Sequence, residues 1–344
     1  MGIKDLIENK IENFDATQNY AAILGLYPSK GAKSPKLWNA AFNGLKFPGV
    51  MFPLDVLPEN LGRVINSLRQ DERFIGGSVA VPYKTEVIKY IDSVEENVKA
   101  IGAVNCIYRD KKRGLVGTNT DGAGALWSLQ SSYGNISGAK VLILGAGGAA
   151  LAVAAYVGKA IGDKGKLFIS NRSKNKTNKL CSKLIDICNV SALNWPVSFE
   201  NTKDINIIIN CTSVGFENPF EDQKGFYSLK FYTPLAKIKD NIRIPLLKNF
   251  DREYSFKAVK SIAENFYESK LFLSQHQNIF IFDIVYQPHT TLLIFISNSI
   301  GHKTLTGIHM NLEQAVIAFD KTTSATGKRD SDQNEVREFM EKVV

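Results

Sequence analysis

The chain has little cysteine, with Cys106, Cys181, Cys188 and Cys211 the only four in 344 residues, and no two of them form a Cys-x-x-Cys pair. That excludes a disulfide framework and a thiolate metal site as the basis of the fold. Histidine is equally scarce, and His276, His289, His302 and His309 do not sit at metal-ligand spacing, so no metal is expected. No long apolar run is present either. The most apolar stretch, 279–296, is interrupted by Asp283, Gln287, Pro288 and His289 and cannot be a clean membrane span. The start, Met1-Gly2-Ile3-Lys4-Asp5, lacks the apolar core of a signal peptide, and a reduced, cytoplasmic protein is expected. Cations exceed anions, with net charge +8 and pI near 9.1, yet they form no aromatic-interleaved basic stripe, so nucleic acid is not an expected partner. There is no internal repeat.

What the sequence does have is apolar material for a core, 44% against 22% charged, over a length that suggests two domains. One stretch organises the rest: Lys140-Val141-Leu142-Ile143-Leu144-Gly145-Ala146-Gly147-Gly148-Ala149-Ala150-Leu151-Ala152-Val153. Its apolar run reads as a strand buried on both faces of a parallel sheet. Gly145, Gly147 and Gly148 then lead into an Ala-rich helix start, and Ala150 holds the third position of the dinucleotide fingerprint. Glycines suit that turn because a pyrophosphate can reach backbone N–H groups only where no side chain intervenes. The next strand, 166–170, ends in Asn171-Arg172-Ser173 with Lys174 and Lys176 following, where an NAD site would place an acid. Cations and a hydroxyl there favour a 2′-phosphate, hence NADP; a solvated basic loop is the other reading. An anionic substrate and a phosphorylated cofactor would account for part of the positive balance.

Upstream, strands are predicted at 20–26, 50–54 and 76–81, alternating with helices at 36–45, 57–69 and from Lys84 onward, an α/β pattern with ligand loops at strand ends. Two strands, 103–108 and 115–117, precede the loop Thr118-Asn119-Thr120-Asp121-Gly122 and a helix at 123–129. A buried strand at 204–211 ends in Thr212-Ser213-Val214-Gly215. Beyond it, 216–277 is loosely patterned apart from a helix at 254–272. A strand at 279–286 and helices at 292–299 and 311–319 follow. A polar tail, 321–344, ends in an amphipathic segment with Val336, Phe339, Met340 and Val343 on one face.

Taken together these stretches resemble the shikimate dehydrogenase family. The resemblance is carried by Lys33-Ser34-Pro35 with Asn39-Ala40-Ala41-Phe42, Val79-Ala80-Val81-Pro82-Tyr83-Lys84, and Ala100-Ile101-Gly102-Ala103-Val104-Asn105. It continues through Asn119-Thr120-Asp121-Gly122, the glycine turn at 145–149, Asn171-Arg172-Ser173, Asn210-Cys211-Thr212-Ser213-Val214-Gly215, Asp283-Ile284-Val285-Tyr286 and 307–319, in the family's order over most of 20–320. The resemblance implies an N-terminal α/β substrate domain, 1–122 completed by a C-terminal helix returning over 305–344. It further implies a Rossmann-type NADP-binding domain, 123–304, with an insertion at about 216–277. The implied activity is reversible reduction of 3-dehydroshikimate to shikimate with NADP(H), by a monomer or homodimer that takes a small ring carboxylic acid and engages neither nucleic acid nor membrane.

By the same resemblance Lys84 and Asp121 are the acid–base pair. Hydride delivered to a carbonyl carbon leaves an alkoxide that needs a proton donor, which an ammonium supplies and a carboxylate can hold in place. Read alone, Lys84 would be a surface lysine at a helix start and Asp121 a turn or N-cap residue. Ser34, Asn105, Tyr286 and Gln314 are implied to bind substrate. Gly145, Ala146, Gly147, Gly148, Ala149, Asn171, Arg172, Ser173, Lys176, Thr212, Ser213 and Gly307 are implied to bind the cofactor. The sequence departs from the family at Ala32, Ser78 and Ala80, where hydroxyls or an amide are usual, and after Tyr286, where Gln287-Pro288 lacks the usual second proline. These departures leave room for quinate or another ring acid. A non-catalytic, metabolite-sensing relative is the third possibility, against which Lys84 and Asp121 both stand.

Overall fold

The computed structural model describes residues 2–16, 18–217, 220–222, 225–238, 252–327 and 332–344. Two compact units divide the chain: 1–124 with 311–344, and 125–310.

In the first unit the apolar run Tyr20–Gly25 forms β1, buried at every residue. β2 (Val50–Asp55) and β3 (Phe74–Val79) flank β1 and run parallel to it. The crossovers are α1 (Ser34–Gly44), with Pro35 in its first turn, and α2 (Leu61–Gln70). Next come β4 (Ser93–Val94), α3 (Glu96–Ile101), and the antiparallel pair β5 (Cys106–Asp110) and β6 (Gly114–Thr118). The sheet order is β2-β1-β3-β5-β6-β4. Period-two alternation divides β1 between two cores: Tyr20, Ala22 and Leu24 pack with Leu61, Val64, Ile65 and Leu68 of α2, while Ala21 and Ile23 join Leu37, Trp38 and Phe42 of α1 with Val316, Phe319, Val336 and Met340. Helices therefore cover the sheet on both faces.

The chain leaves this unit within α4 (Asp121–Tyr133). The second unit is an all-parallel sheet of β7 (Lys140–Leu144), β8 (Lys166–Ser170), β9 (Val190–Leu193), β10 (Ile207–Asn210), β13 (Phe280–Asp283) and β14 (Lys303–Thr306). Its connections include α5 (Gly148–Ile161), α6 (Lys174–Leu184), α7 (Phe199–Thr202), the small hairpin β11 (Phe220–Asp222) and β12 (Gly225–Tyr227), α8 (Arg252–Ser274) and α9 (Leu292–Ser299). The order β14-β13-β10-β7-β8-β9 reverses direction between β7 and β10, and ligands of such sheets bind beside the carboxyl ends at that switch. The 23-residue α8 sends Phe272 and Leu273 into the core with Leu293 and Ile294 of α9 and Ile208 of β10. The chain returns within α10 (Gly307–Ala325) and ends in α11 (Gln333–Glu341).

Several expectations need correction. Lys84 lies in a turn, followed only by a short 3₁₀ segment, Glu86–Lys89, because its carbonyl is taken from outside the segment: the Val104 N–H, in the loop before β5, donates to it at 2.7 Å. The third strand ends at Val79, and the expected strand from 279 ends at Asp283, whose side chain turns back to bond the Val285 amide. The tail is less polar and more ordered at its start than expected, α10 running on to Ala325, while the amphipathic segment forms α11 and buries Val336 and Met340 completely in the core. Part of that tail, 328–331, and parts of the stretch 216–277, including 239–251, lie outside the described residues.

Candidate active site and nucleotide pocket

Lys84 and Asp121 meet in the first unit, Lys84 Nζ donating to Asp121 Oδ2 at 2.6 Å. Each is held from behind. The Lys84 backbone is fixed by the Val104 bond, and the buried Tyr83 hydroxyl donates to the Val56 carbonyl at 2.5 Å. Asp121 opens α4, where a carboxylate is favoured by the helix dipole, and its Oδ1 accepts from Asn105 Nδ2 at 2.9 Å. Lys84 keeps about a third of its side chain exposed (30%) and Asp121 only 12%, so the ammonium is accessible while its partner is enclosed. An ammonium carries three N–H donors, and two remain beyond the one given to Asp121.

Asn105, buried just before β5, is the hub of the cluster. Its Nδ2 also donates to Thr120 Oγ1 at 2.9 Å and, at 3.4 Å, to Gln314 Oε1, while its Oδ1 accepts the Thr120 N–H at 2.7 Å. Thr120 Oγ1 donates in turn to the Gln314 carbonyl at 3.0 Å. Much of the Asn105 amide is therefore committed to Asp121 and Thr120, a positioning function beyond the substrate contact expected of it. Gln314 is buried on α10, its Nε2 donating to the Asn311 carbonyl at 2.9 Å. Ser34 is buried in the first turn of α1. Tyr286, half-buried beyond β13, and Gly307 belong to the second unit.

In the second unit, Gly145, Ala146 and Gly147 line a cavity of about 220 Å³ together with Asn171, Arg172, Thr212 and Ser213. Gly145 has φ +117, and a Cβ there would meet the Cys211 carbonyl at 2.9 Å, so the crossing of the β7 and β10 ends requires glycine. Cβ atoms at Gly147 and Gly148 would meet nothing within 4 Å. That open cradle, at the start of the 14-residue α5 whose first-turn amides lack intrahelical acceptors, fits a pyrophosphate. Arg172 is exposed and makes no ion pair among the described residues, leaving its guanidinium available to a phosphate. Ser173 caps α6, its oxygen accepting the Lys176 N–H at 3.4 Å, so its hydroxyl proton is still free to be donated. Lys176 is exposed on the first turn of α6, and Gly148 and Ala149 begin α5 without lining the cavity. At Gly307 a Cβ would lie 2.1 Å from the Ile284 carbonyl, so close packing requires glycine there.

Among the described residues, no group of three or more His, Cys, Asp or Glu is placed to hold a metal. A relative from Carboxydothermus hydrogenoformans named shikimate dehydrogenase (NADP(+)) is 31% identical, over 87% of this chain and 90% of its own length. The chain belongs to the shikimate dehydrogenase family. Residues 24–107 match the family model described as the shikimate dehydrogenase substrate binding domain. The crystal structure of shikimate 5-dehydrogenase from Listeria monocytogenes in complex with shikimate and NAD has a TM-score of 0.72 at 22% identity, covering 96% of this chain and 99% of that one. Quinate dehydrogenase from Corynebacterium glutamicum in complex with NAD gives 0.71 at 20% identity, over 95% and 99%. At such identities the likeness establishes the fold alone.

The family's motifs do not lead to every residue of the cavity. Trp195, Thr233 and Pro234 also line it. Trp195 follows β9, a strand too short and too mixed (Val190-Ser191-Ala192-Leu193) to stand out by periodicity. Thr233 and Pro234 lie in the stretch read only as an insertion. The Trp-Pro pair, Trp195-Pro196, is the one signal that could have pointed there.

Proposed function

We propose that this protein catalyses the reversible, NADP(H)-dependent reduction of 3-dehydroshikimate to shikimate. The observation that supports this is the 2.6 Å contact of Lys84 with Asp121, enclosed by Asn105, Thr120 and Gln314, in a chain of this family. NADPH, when bound, supplies the hydride. Lys84 presents its remaining N–H groups to the ketone oxygen, stabilises the alkoxide charge that develops there and gives it a proton; in the oxidative direction it takes the hydroxyl proton back. Asp121 holds the ammonium in line, and Asn105 holds Asp121. Ser34 is assigned to the ring carboxylate, and Asn105, Gln314 and Tyr286 to ring hydroxyls, each of which would cost about 1–3 kcal/mol if buried unpaired. The glycine cradle takes the pyrophosphate, with Thr212 and Ser213 beside it, and Arg172, Ser173 and Lys176 take the 2′-phosphate. Gly307 contributes by letting α10 approach Ile284. The reading carries with it a cytoplasmic monomer or homodimer with no nucleic-acid or membrane partner.

A second reading, quinate or another ring acid as the preferred substrate, is favoured by Ala32 and Ala80, which pack against an apolar cluster where family members usually offer polar groups. Fewer donors for the carboxylate would loosen discrimination between ring acids. The intact Lys84–Asp121 contact speaks against a sensor without catalysis, since binding alone requires no proton donor. Purified protein with shikimate and NADP⁺ is expected to generate NADPH absorbance, with kcat/KM for shikimate above that for quinate. A higher value for quinate selects the second reading, and no turnover of any ring acid overturns both.

A further inference from the structure

α8 carries a stripe of polar residues, Ser261, Asn265 and Ser269, at i, i+4 and i+8, and all three are buried although the rest of the helix offers solvent-facing positions. Buried polar groups need partners, and these find them in one segment. Asn265 Oδ1 accepts the Thr233 N–H at 2.8 Å, and its Nδ2 donates to the Thr233 and Ala236 carbonyls at 3.2 Å each. Ser269 Oγ meets Thr233 Oγ1 at 2.5 Å, and the Tyr232 hydroxyl meets Ser261 Oγ at 3.2 Å. The segment so clamped then fixes Trp195, whose Nε1 donates to the Pro234 carbonyl at 2.8 Å. Trp195, Thr233, Pro234 and Ile238 all face the cavity that holds the glycine turn and Arg172.

With its N–H already bonded to protein, the Trp195 indole has only its π surface to offer a ligand. Its place in the sheet decides which part of the ligand that is. The glycine turn follows β7, Asn171 and Arg172 follow β8, and Trp195 follows β9, the edge strand next outward. A dinucleotide with its pyrophosphate at β7 and the phosphorylated ribose at β8 carries its adenine on toward β9. We propose that Trp195, backed by Thr233 and Pro234, is the adenine-binding wall of the nucleotide pocket, and that α8 is the element that holds this wall in place. The insertion thereby serves cofactor affinity. This rests on the nucleotide reading above and adds to it residues that the family motifs do not reach.

The probes are NADP⁺ and adenosine 2′,5′-bisphosphate, which keeps the adenine and the 2′-phosphate but lacks the nicotinamide. Trp195→Ala is expected to weaken both by the same factor, about 5- to 100-fold as for loss of a base–aromatic stack. Trp195→Phe, which keeps a ring, is expected to restore most of the affinity. Binding of the bisphosphate should quench the intrinsic fluorescence of the wild type and lose most of that signal in Trp195→Phe. Asn265→Ala, a positioning variant, is expected to weaken the bisphosphate several-fold without changing the KM for shikimate. If the wild type turns over with NADP⁺ while Trp195→Ala binds the bisphosphate as tightly as wild type, the wall assignment is overturned and the function stands. If the wild type binds neither nucleotide, both fall.

Discussion

Asp283 is wholly buried at the end of β13, where Asn210 Nδ2 at 2.8 Å, the Val285 N–H at 3.0 Å and Thr291 Oγ1 at 2.6 Å converge on its carboxylate. Asn210 in turn uses its Oδ1 to accept from the Thr212 N–H and hydroxyl, at 2.9 and 2.7 Å, so this carboxylate anchors from behind the loop that lines the cavity beside the glycine turn. Burial outweighs the donors and pushes its pKa up from 3.8 to about 7. As pH rises the unfolded chain therefore loses this proton first, and between those two values the native state binds more protons than the unfolded one. Stability from this group declines across that window and is level above it. Thermal denaturation at about pH 5 and about pH 8 should show the wild type losing stability toward the higher pH, and Asp283→Asn losing less. An identical pH dependence in the variant would remove Asp283 from this account. At the cofactor's 2′-phosphate, Arg172→Ala is expected to raise the KM for NADP⁺ about 10- to 100-fold and leave that for NAD⁺ nearly unchanged, as loss of a charge-assisted bond of about 1.5–3 kcal/mol requires. Equal effects on the two cofactors would count against the 2′-phosphate assignment.

At the scale of elements, α11 closes the first unit's core. Val336 and Met340 are fully buried, and Arg337 grips Glu313 of α10 through two bonds, Nε to Oε1 at 2.6 Å and Nη2 to Oε2 at 2.8 Å. The side chains are only 14% and 2% exposed, so the pair is a buried one, and its hydrogen bonds hold the Arg337 pKa above its ordinary value. Arg337→Leu would leave the Glu313 carboxylate buried without its cation and is expected to destabilise the protein by about 3 kcal/mol in denaturant unfolding. Removal of the partner together with it, Glu313→Leu with Arg337→Leu, should recover much of that loss. Strong periodic runs such as Tyr20–Gly25, Lys140–Leu144 and Leu292–Ser299 were legible in the sequence, because burial on one or two faces imposes its pattern on every residue. β4, β9 and β14 were not, having two to four residues and mixed polarity at sheet edges. The turn at Lys84 also escaped, since bonds to residues distant in sequence override local helical spacing.

For the whole molecule, the order of short motifs along 20–320 was enough to indicate the family, and the close placement of Lys84, Asp121, Asn105 and Gln314 follows from a sheet and helices that bring residues as far apart as 105 and 314 together. Two things were beyond the sequence. Trp195 is bonded to Pro234 in a segment that α8 clamps, a relation between residues that no local pattern records. The ring acid depends on how many donors surround the carboxylate, and Ala32 and Ala80 reduce that number without naming the substrate that fits. The most direct test of the central assignment, the proton passed between Lys84 and the substrate oxygen beside Asp121, is steady-state oxidation of shikimate by Lys84→Met with NADP⁺ affinity measured in parallel. A fall in kcat of about 10²–10⁴-fold with NADP⁺ binding unchanged is predicted; a variant that keeps the wild-type kcat would contradict it.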